Sequence, residues 1–328
     1  MINQSDCKRI VYFDRYKLLF KSLMKKILKE ILVDPVNKTD LFEEERDGKD
    51  LLISGNKIYP IIESIPVLLA NEKNKNSNPE LHSKFNSEFN YTGHYQEDAS
   101  YFDYFKGEET AAGKEELRRL HQAITKHIPK ETKLILDVGC GNGWVAKYFL
   151  PKGKNVISMD IALKNPQKVL KENSGENHAA VVADAYHLPF KKTSFDAIIA
   201  AEIMEHVYDP KLFISSLMEV LKPGGTLVIT TPYNEKIEYF LCVHCNKPTP
   251  KNAHLHSFNE ENIANFIPVK FSNYHVEKFS NKFFVRLRLN LLTAFLPYSL
   301  WKIKDAVANA IFKKPMRFLI EIKKNNLT

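Results

Sequence analysis

Apolar positions along the chain follow two periods. From Tyr16 to Leu32, Leu18, Leu19, Leu23, Ile27, Leu28, Ile31 and Leu32 recur at helical spacing, with Lys21, Lys25, Lys26 and Lys29 between them. This predicts an amphipathic helix packed on the protein, with a membrane surface as the alternative seat. Leu117, Leu120, Ile124 and Ile128 form one face of a second helix over Glu115 to Ile128. Then the pattern changes. Short apolar runs at Leu134–Val138, Asn155–Asp160, Ala180–Ala185, Phe195–Ala201 and Thr226–Thr230 alternate with helical stretches, one starting at Val145–Leu150 and one after Asp209-Pro210 running through Leu221. Runs this short suit buried parallel strands, so the alternation predicts an α/β sheet with helices on both faces. Asn273–Lys278 and Phe318–Lys323 read as two last strands.

Domain boundaries follow from the intervening stretches. A small N-terminal module spans 1–70, a polar Asn/Lys/Ser linker 71–84, and the α/β domain 85–328. Within the last lies an apolar insertion at 283–312. Its longest uncharged run, Leu289–Trp301, is too short to span a bilayer, contains Pro297, and is flanked by Arg286, Arg288, Lys302 and Lys304. Two helices packed on the sheet or at a dimer interface are one reading. A segment that touches a membrane surface or caps a greasy pocket is the other.

Composition narrows this only slightly. The 328 residues are 44% hydrophobic and 26% charged, ordinary for a folded protein. A net charge of +8 favours an acidic partner such as RNA or a membrane, although no basic run is long enough to separate this from a solvated lysine-rich surface. Cys7, Cys140, Cys242 and Cys245 make no disulfide framework in a chain this size. With no secretory pattern near the N-terminus, a cytoplasmic location is expected.

The strand Leu134–Val138 stops at Gly139, Gly141 and Gly143, with Asp137 two residues ahead of the first glycine. Glycines at such a turn let backbone amides approach a ligand, with a helix N-terminus behind them. The spacing is G-x-G-x-G, not the G-x-G-x-x-G of dinucleotide binders, which disfavours a nicotinamide-dependent dehydrogenase. Asp160 follows about 20 residues on, where a carboxylate that grips ribose hydroxyls belongs.

This loop resembles motif I of the class I S-adenosylmethionine-dependent methyltransferases, of the type 11 kind. Asp184-Ala185, His187-Leu188-Pro189-Phe190 and Leu221-Lys222-Pro223-Gly224-Gly225 match later motifs in the same order. The resemblance covers roughly Phe85 to Lys323. It implies a Rossmann-like seven-stranded sheet that ends in an antiparallel hairpin. It also implies S-adenosyl-L-methionine held by Asp137, Gly139, Gly141 and Gly143, with Asp160 on the ribose and Asp184 and Ala185 at the adenine. The aromatic-rich segment Phe85–Phe105 would fold over the cofactor, with Tyr95 and Tyr104 as lid residues or, equally, as buried packing. Residues 31–69 resemble the zinc-ribbon-like activator module of tRNA methyltransferases. Its Cys-Pro-x-Cys is replaced by Asp34-Pro35-Val36-Asn37, and residues 8–81 hold neither Cys nor His, so a β-rich module without zinc is expected.

Methyl transfer from a sulfonium needs alignment of the acceptor and removal of its proton. Glu202-Ile203-Met204-Glu205-His206 would put Glu202, Glu205 and His206 on one face of a helical turn, a donor set suited to a divalent cation such as Mg or Zn. The same E-x-x-E-H occurs in the ubiquinone-pathway O-methyltransferases and in small-RNA 2′-O-methyltransferases, where it holds a metal. In methyltransferases without metal, His206 would be a pocket wall or a general base. Cys242 and Cys245 with His254 and His256 form a second candidate set, with the ligand count of a tetrahedral zinc site. The two readings compete for His256. Methyl transfer to a hydroxyl of a small, partly apolar metabolite is expected, with His206 or His256 nearest the proton. RNA methylation and a non-catalytic scaffold at a membrane or in a complex are the alternatives. The sequence leaves the oligomeric state open.

Overall fold

In the computed structural model, which describes residues 26–70, 91–241, 246, 248–271 and 273–326, the chain opens with a meander. Its strands are β1 (Phe42–Arg46), β2 (Lys49–Ser54), β3 (Lys57–Ile62) and β4 (Ile65–Leu68). Asp47-Gly48 and Glu63-Ser64 turn with φ of 51° and 69°, and 50° and 67°, the two-residue left-handed turns that fit the twist of a hairpin. Asp34 is fully buried before β1. Its carboxylate accepts from the Val36 and Asn37 amides and the Tyr59 hydroxyl, and pairs with Lys57. These bonds hold the carboxyl below its ordinary range although burial opposes them.

The central strands are β5 (Leu134–Val138), β6 (Asn155–Asp160), β7 (His178–Ala183), β8 (Phe195–Ala201) and β9 (Leu221–Pro232). A short pair, β10 (Tyr239–Leu241) and β11 (Pro248–Pro250), stands apart, and β12 (Tyr274–Asn281) and β13 (Pro315–Lys323) close the sheet as an antiparallel hairpin. The order is β1-β2-β3-β4-β7-β6-β5-β8-β9-β13-β12. The sheet thus has eleven strands where the sequence pattern predicts seven. The four N-terminal strands extend it through β4, which runs parallel to β7 with Val67 opposite Val182 and Leu68 opposite Ala183. The reason lies in β7, which is buried along its whole length; an open edge so apolar must be covered.

Besides a helical stretch at 26–29, the helices that accompany the sheet among the described residues are α1 (Tyr91–Tyr101), α2 (Ala111–Lys126), α3 (Trp144–Phe149), α4 (Lys164–Glu172), α5 (Pro210–Val220), α6 (Lys282–Arg286) and α7 (Tyr298–Phe312). Alternation along the strands divides the core between two faces. Leu136, Val138, Ile198 and Ala200 pack with Phe213, Ile214 and Leu217 of α5. Ile135, Ala197 and Ile199 pack with Leu120 and Ile124 of α2 and with Val145 and Phe149 of α3. Capping sets two helix starts. Thr110 accepts from the Gly113 amide, so α2 begins before the apolar stripe that predicts it, and Asp209 accepts from Leu212 ahead of α5. Strand β9 begins at Leu221 because that residue pairs with Phe195 before a register shift brings Thr226 opposite Ala197. Of the helix expected over Tyr16–Leu32, residues 26–29 are helical and those before 26 lie outside the described residues, as do the 71–84 linker, Phe85 and Phe89.

Two antiparallel pairings in series make β12 parallel to β9, and so to β5 and β8. The helical insertion therefore leaves the sheet at its carboxyl edge, where open α/β sheets carry their ligands. Buried Arg119 of α2 donates to Glu115 and to the carbonyls of Thr293, Ala294 and Leu296, fixing the insertion on the domain.

Candidate active site

Strand β5 delivers the glycine loop. Gly139, Gly141 and Gly143 all have positive φ. A Cβ on Gly139 would lie 2.2 Å from Ile203 Cδ1, and one on Gly143 2.7 Å from Val169 Cγ1. The turn therefore needs glycine for its backbone angle and for its close packing.

The loop opens on a cavity of about 780 Å³ whose lining includes Gly139, Gly141, Asp160, Ala185, Ile203 and His206. That volume lies within the range of small-molecule sites. Asp160, at the end of β6, accepts from the Ala162 amide and from Asn165 Nδ2, each at 3.0 Å, and from the Gly141 amide. Burial still raises its carboxyl above the ordinary range. Asp137 lies behind the loop, 2% exposed, with Oδ2 lacking a hydrogen-bond partner among the described residues. Burial, and then the Asp160 charge, push its carboxyl up to about 8. An orphaned carboxylate oxygen beside a left-handed glycine loop suits a ligand that brings a cationic or N–H group; the methionine end of S-adenosylmethionine has both. Ala185 reaches the cavity wall, whereas the buried Asp184 turns its Oδ1 onto the Tyr186 amide at 2.9 Å.

The far wall belongs to α1, to the 3₁₀ turn Tyr104–Lys106 and to residues 249–253. Tyr95 and Tyr104 both line the cavity. The Tyr104 hydroxyl donates to Asp98, and the Tyr95 ring meets His206 edge-on, centroids 6.1 Å apart.

The E-x-x-E-H segment is not one helical turn. Glu202 follows β8 with φ of 57°, and only Met204–His206 form a 3₁₀ turn. The left-handed backbone at Glu202 sets its side chain apart from Glu205 and His206. Its carboxylate pairs with Arg317 of β13, which also holds Glu116 of α2 at 2.9 and 3.1 Å. His254 takes the place of Glu202: one ligand atom each from Glu205, His206 and His254 lie within 4.8 Å of one another. Glu205 is 2% exposed, and its Oε2 and the His206 Nδ1 lack hydrogen-bond partners among the described residues. Burial, then the Glu202 charge, push the Glu205 carboxyl well above its usual range, while burial, then His254, bring His206 down to about 4. Two orphaned buried ligand atoms and a second imidazole beside them form an oxygen-and-nitrogen set suited to a divalent cation.

The second candidate set is not brought together by the described residues. Cys242 and Cys245 lie outside them. His254 meets Glu235 and, edge-on at 4.8 Å, His206. His256 faces the Tyr208 carbonyl and the rings of Phe258 and Phe266. The two imidazoles thus face different partners. His256 is also absent from the cavity wall. Arg317 and Glu116 carry no motif; their link to Glu202 comes from a strand and a helix meeting in the tertiary packing.

Residues 136–229 match the family described as "Methyltransferase domain". The chain is 29% identical over 138 residues to the ubiquinone biosynthesis O-methyltransferase of Xylella fastidiosa, covering 40% of this chain and 56% of that protein. It is 32% identical over 149 residues to the same-named protein of Rickettsia canadensis, covering 43% and 62%. The chain thus spans little more than half the length of these curated relatives. Among solved structures, the PH0226 protein of Pyrococcus horikoshii superposes with a TM-score of 0.48 at 16% identity, covering 70% of this chain and 99% of that one. Residues 136–229, which match that family, form the glycine loop and central strands of an α/β Rossmann-like sheet.

Proposed function

We propose that the protein transfers a methyl group from S-adenosylmethionine to a hydroxyl of a small, partly apolar acceptor. The observation that carries this is the shared cavity: Gly139, Gly141 and Asp160 line it at one end and His206, with Glu205 and His254 behind it, at the other. The names of the curated relatives, which are O-methyltransferases, support a hydroxyl acceptor.

In this reading the glycine loop and Asp137 receive the methionine end, Asp160 accepts from the ribose hydroxyls, and Ala185 with Asp184 borders the adenine. Bound S-adenosylmethionine supplies an electrophilic methyl on a sulfonium. The protein's task is then to exclude water, orient the acceptor and handle one proton. Tyr95 and Tyr104 give the acceptor an aromatic wall and shield it from solvent. His206 is neutral at physiological pH, so it can accept a hydrogen bond from a hydroxyl, but an imidazole brought down to about 4 is a weak base for an alcohol or phenol. That weakness favours the metal reading, in which Glu205, His206 and His254 hold a divalent cation that supplies Lewis-acid polarisation of the acceptor oxygen. We read the N-terminal strands as a metal-free descendant of the ribbon-like module, with Asp34 bracing the turn.

The test is turnover of an acceptor panel of apolar phenols and alcohols, followed as S-adenosylhomocysteine release. The expected result is loss of turnover on chelation, recovery with Mg or Zn, and no recovery in His206→Ala. Turnover indifferent to both chelation and His206→Ala would overturn the metal reading. Absence of cofactor binding by calorimetry would overturn methyl transfer itself.

A further inference from the structure

We propose that helix α7 and the turn before it form a docking face for an anionic lipid bilayer. Leu300, Ile303, Val307 and Ile311 are 52, 63, 54 and 67% exposed. Their spacing of three, four and four residues puts them in one stripe along α7. The opposite side of the helix buries Trp301, Asp305, Ala308 and Asn309 against the domain. Leu292 and Phe295, 71 and 81% exposed, extend the apolar surface into the preceding turn. Scattered exposed apolar residues are ordinary, but a stripe of four along one helix, with two more in the turn before it, calls for a covering partner.

Charge identifies that partner. At about 100° per residue, Lys304 flanks the stripe, whereas Lys302 lies well away from it and pairs with Glu277 of β12. Arg286, Arg288, Lys313 and Lys314 add further positive charge from the helix ends. Asp305 is the only acid between 282 and 314, and it is buried, accepting from the Ser280 and Asn281 amides and from Asn309. The face is thus apolar at its centre and basic at its rim, the complement of an anionic headgroup layer over acyl chains. A second copy would bring like charge against like charge. No described helix is long and apolar enough to cross a membrane, so the contact lies at the surface. The insertion leaves the sheet at the same edge as the glycine loop, which would bring the cavity side of the domain toward the lipid.

The test is co-sedimentation of the full chain with phosphatidylcholine vesicles, with and without phosphatidylglycerol. Binding is expected to the mixed vesicles only and to fall as salt rises. The variant I303E/V307E should bind at least about tenfold more weakly. K313E/K314E, which leaves the apolar stripe intact, should weaken binding by roughly fivefold or more for each charge held at the surface. Unchanged binding of S-adenosylhomocysteine by both variants shows that they are folded and keeps this result separate from methyl transfer. No association with mixed vesicles, or binding by both variants as tight as that of the wild type, overturns the proposal. So does a wild-type dimer that I303E/V307E disperses in the absence of vesicle binding.

Discussion

Substituting Asp137 by Asn should reshape how stability depends on pH. The carboxyl is 2% exposed, one of its oxygens lacks a partner, and burial beside Asp160 pushes it up to about 8 from an ordinary 3.8. Between those values the folded chain keeps a proton that the unfolded chain has released. The neutral carboxyl's contribution is fully present below about pH 4 and is lost as pH rises toward 8, at up to about 1.4 kcal/mol per pH unit. At neutral pH the accumulated cost is roughly 4 kcal/mol. The amide introduced by Asp137→Asn has no proton to lose. The ligand-free variant should therefore unfold at higher urea concentration than the parent at pH 7 and match it near pH 4. Cationic groups of the cofactor favour the ionised carboxylate, so the same variant should bind S-adenosylmethionine more weakly and be stabilised less by it. Urea titrations from pH 4 to 8, with and without the cofactor, measure both effects. A variant less stable than the parent at neutral pH, or parallel pH profiles, would refute the assignment of Asp137 as an unpaired buried acid.

Asp160→Ala removes the carboxylate proposed to accept from two ribose hydroxyls; at about 1.5–3 kcal/mol for each such bond, calorimetry should show S-adenosylhomocysteine binding at least roughly 100-fold weaker. Gly139→Ala puts a Cβ 2.2 Å from Ile203 Cδ1 on a backbone with φ of 69°; cofactor affinity should fall about tenfold or more while the melting temperature drops by only a few degrees. Arg317→Met leaves Glu116 and Glu202 without their shared cation and should destabilise the fold by roughly 3 kcal/mol in urea titration, more than Glu202→Gln does.

The sequence by itself determined the α/β alternation, the glycine loop and the acids that end its strands. Each of these rests on local chemistry: apolar period, turn residues and spacing from one strand end to the next. Tertiary structure alone decided three things. The buried edge of β7 recruited the N-terminal meander and made the sheet eleven strands wide. Arg317, paired across the sheet through β13, drew Glu202 away from Glu205 and His206, and a left-handed backbone at Glu202 broke the helical turn that spacing predicts. His254, which sequence spacing joins to Cys242, Cys245 and His256, lies beside His206. In each case the deciding partner lies tens of residues or more away along the chain, and such a partner leaves no trace in local periodicity.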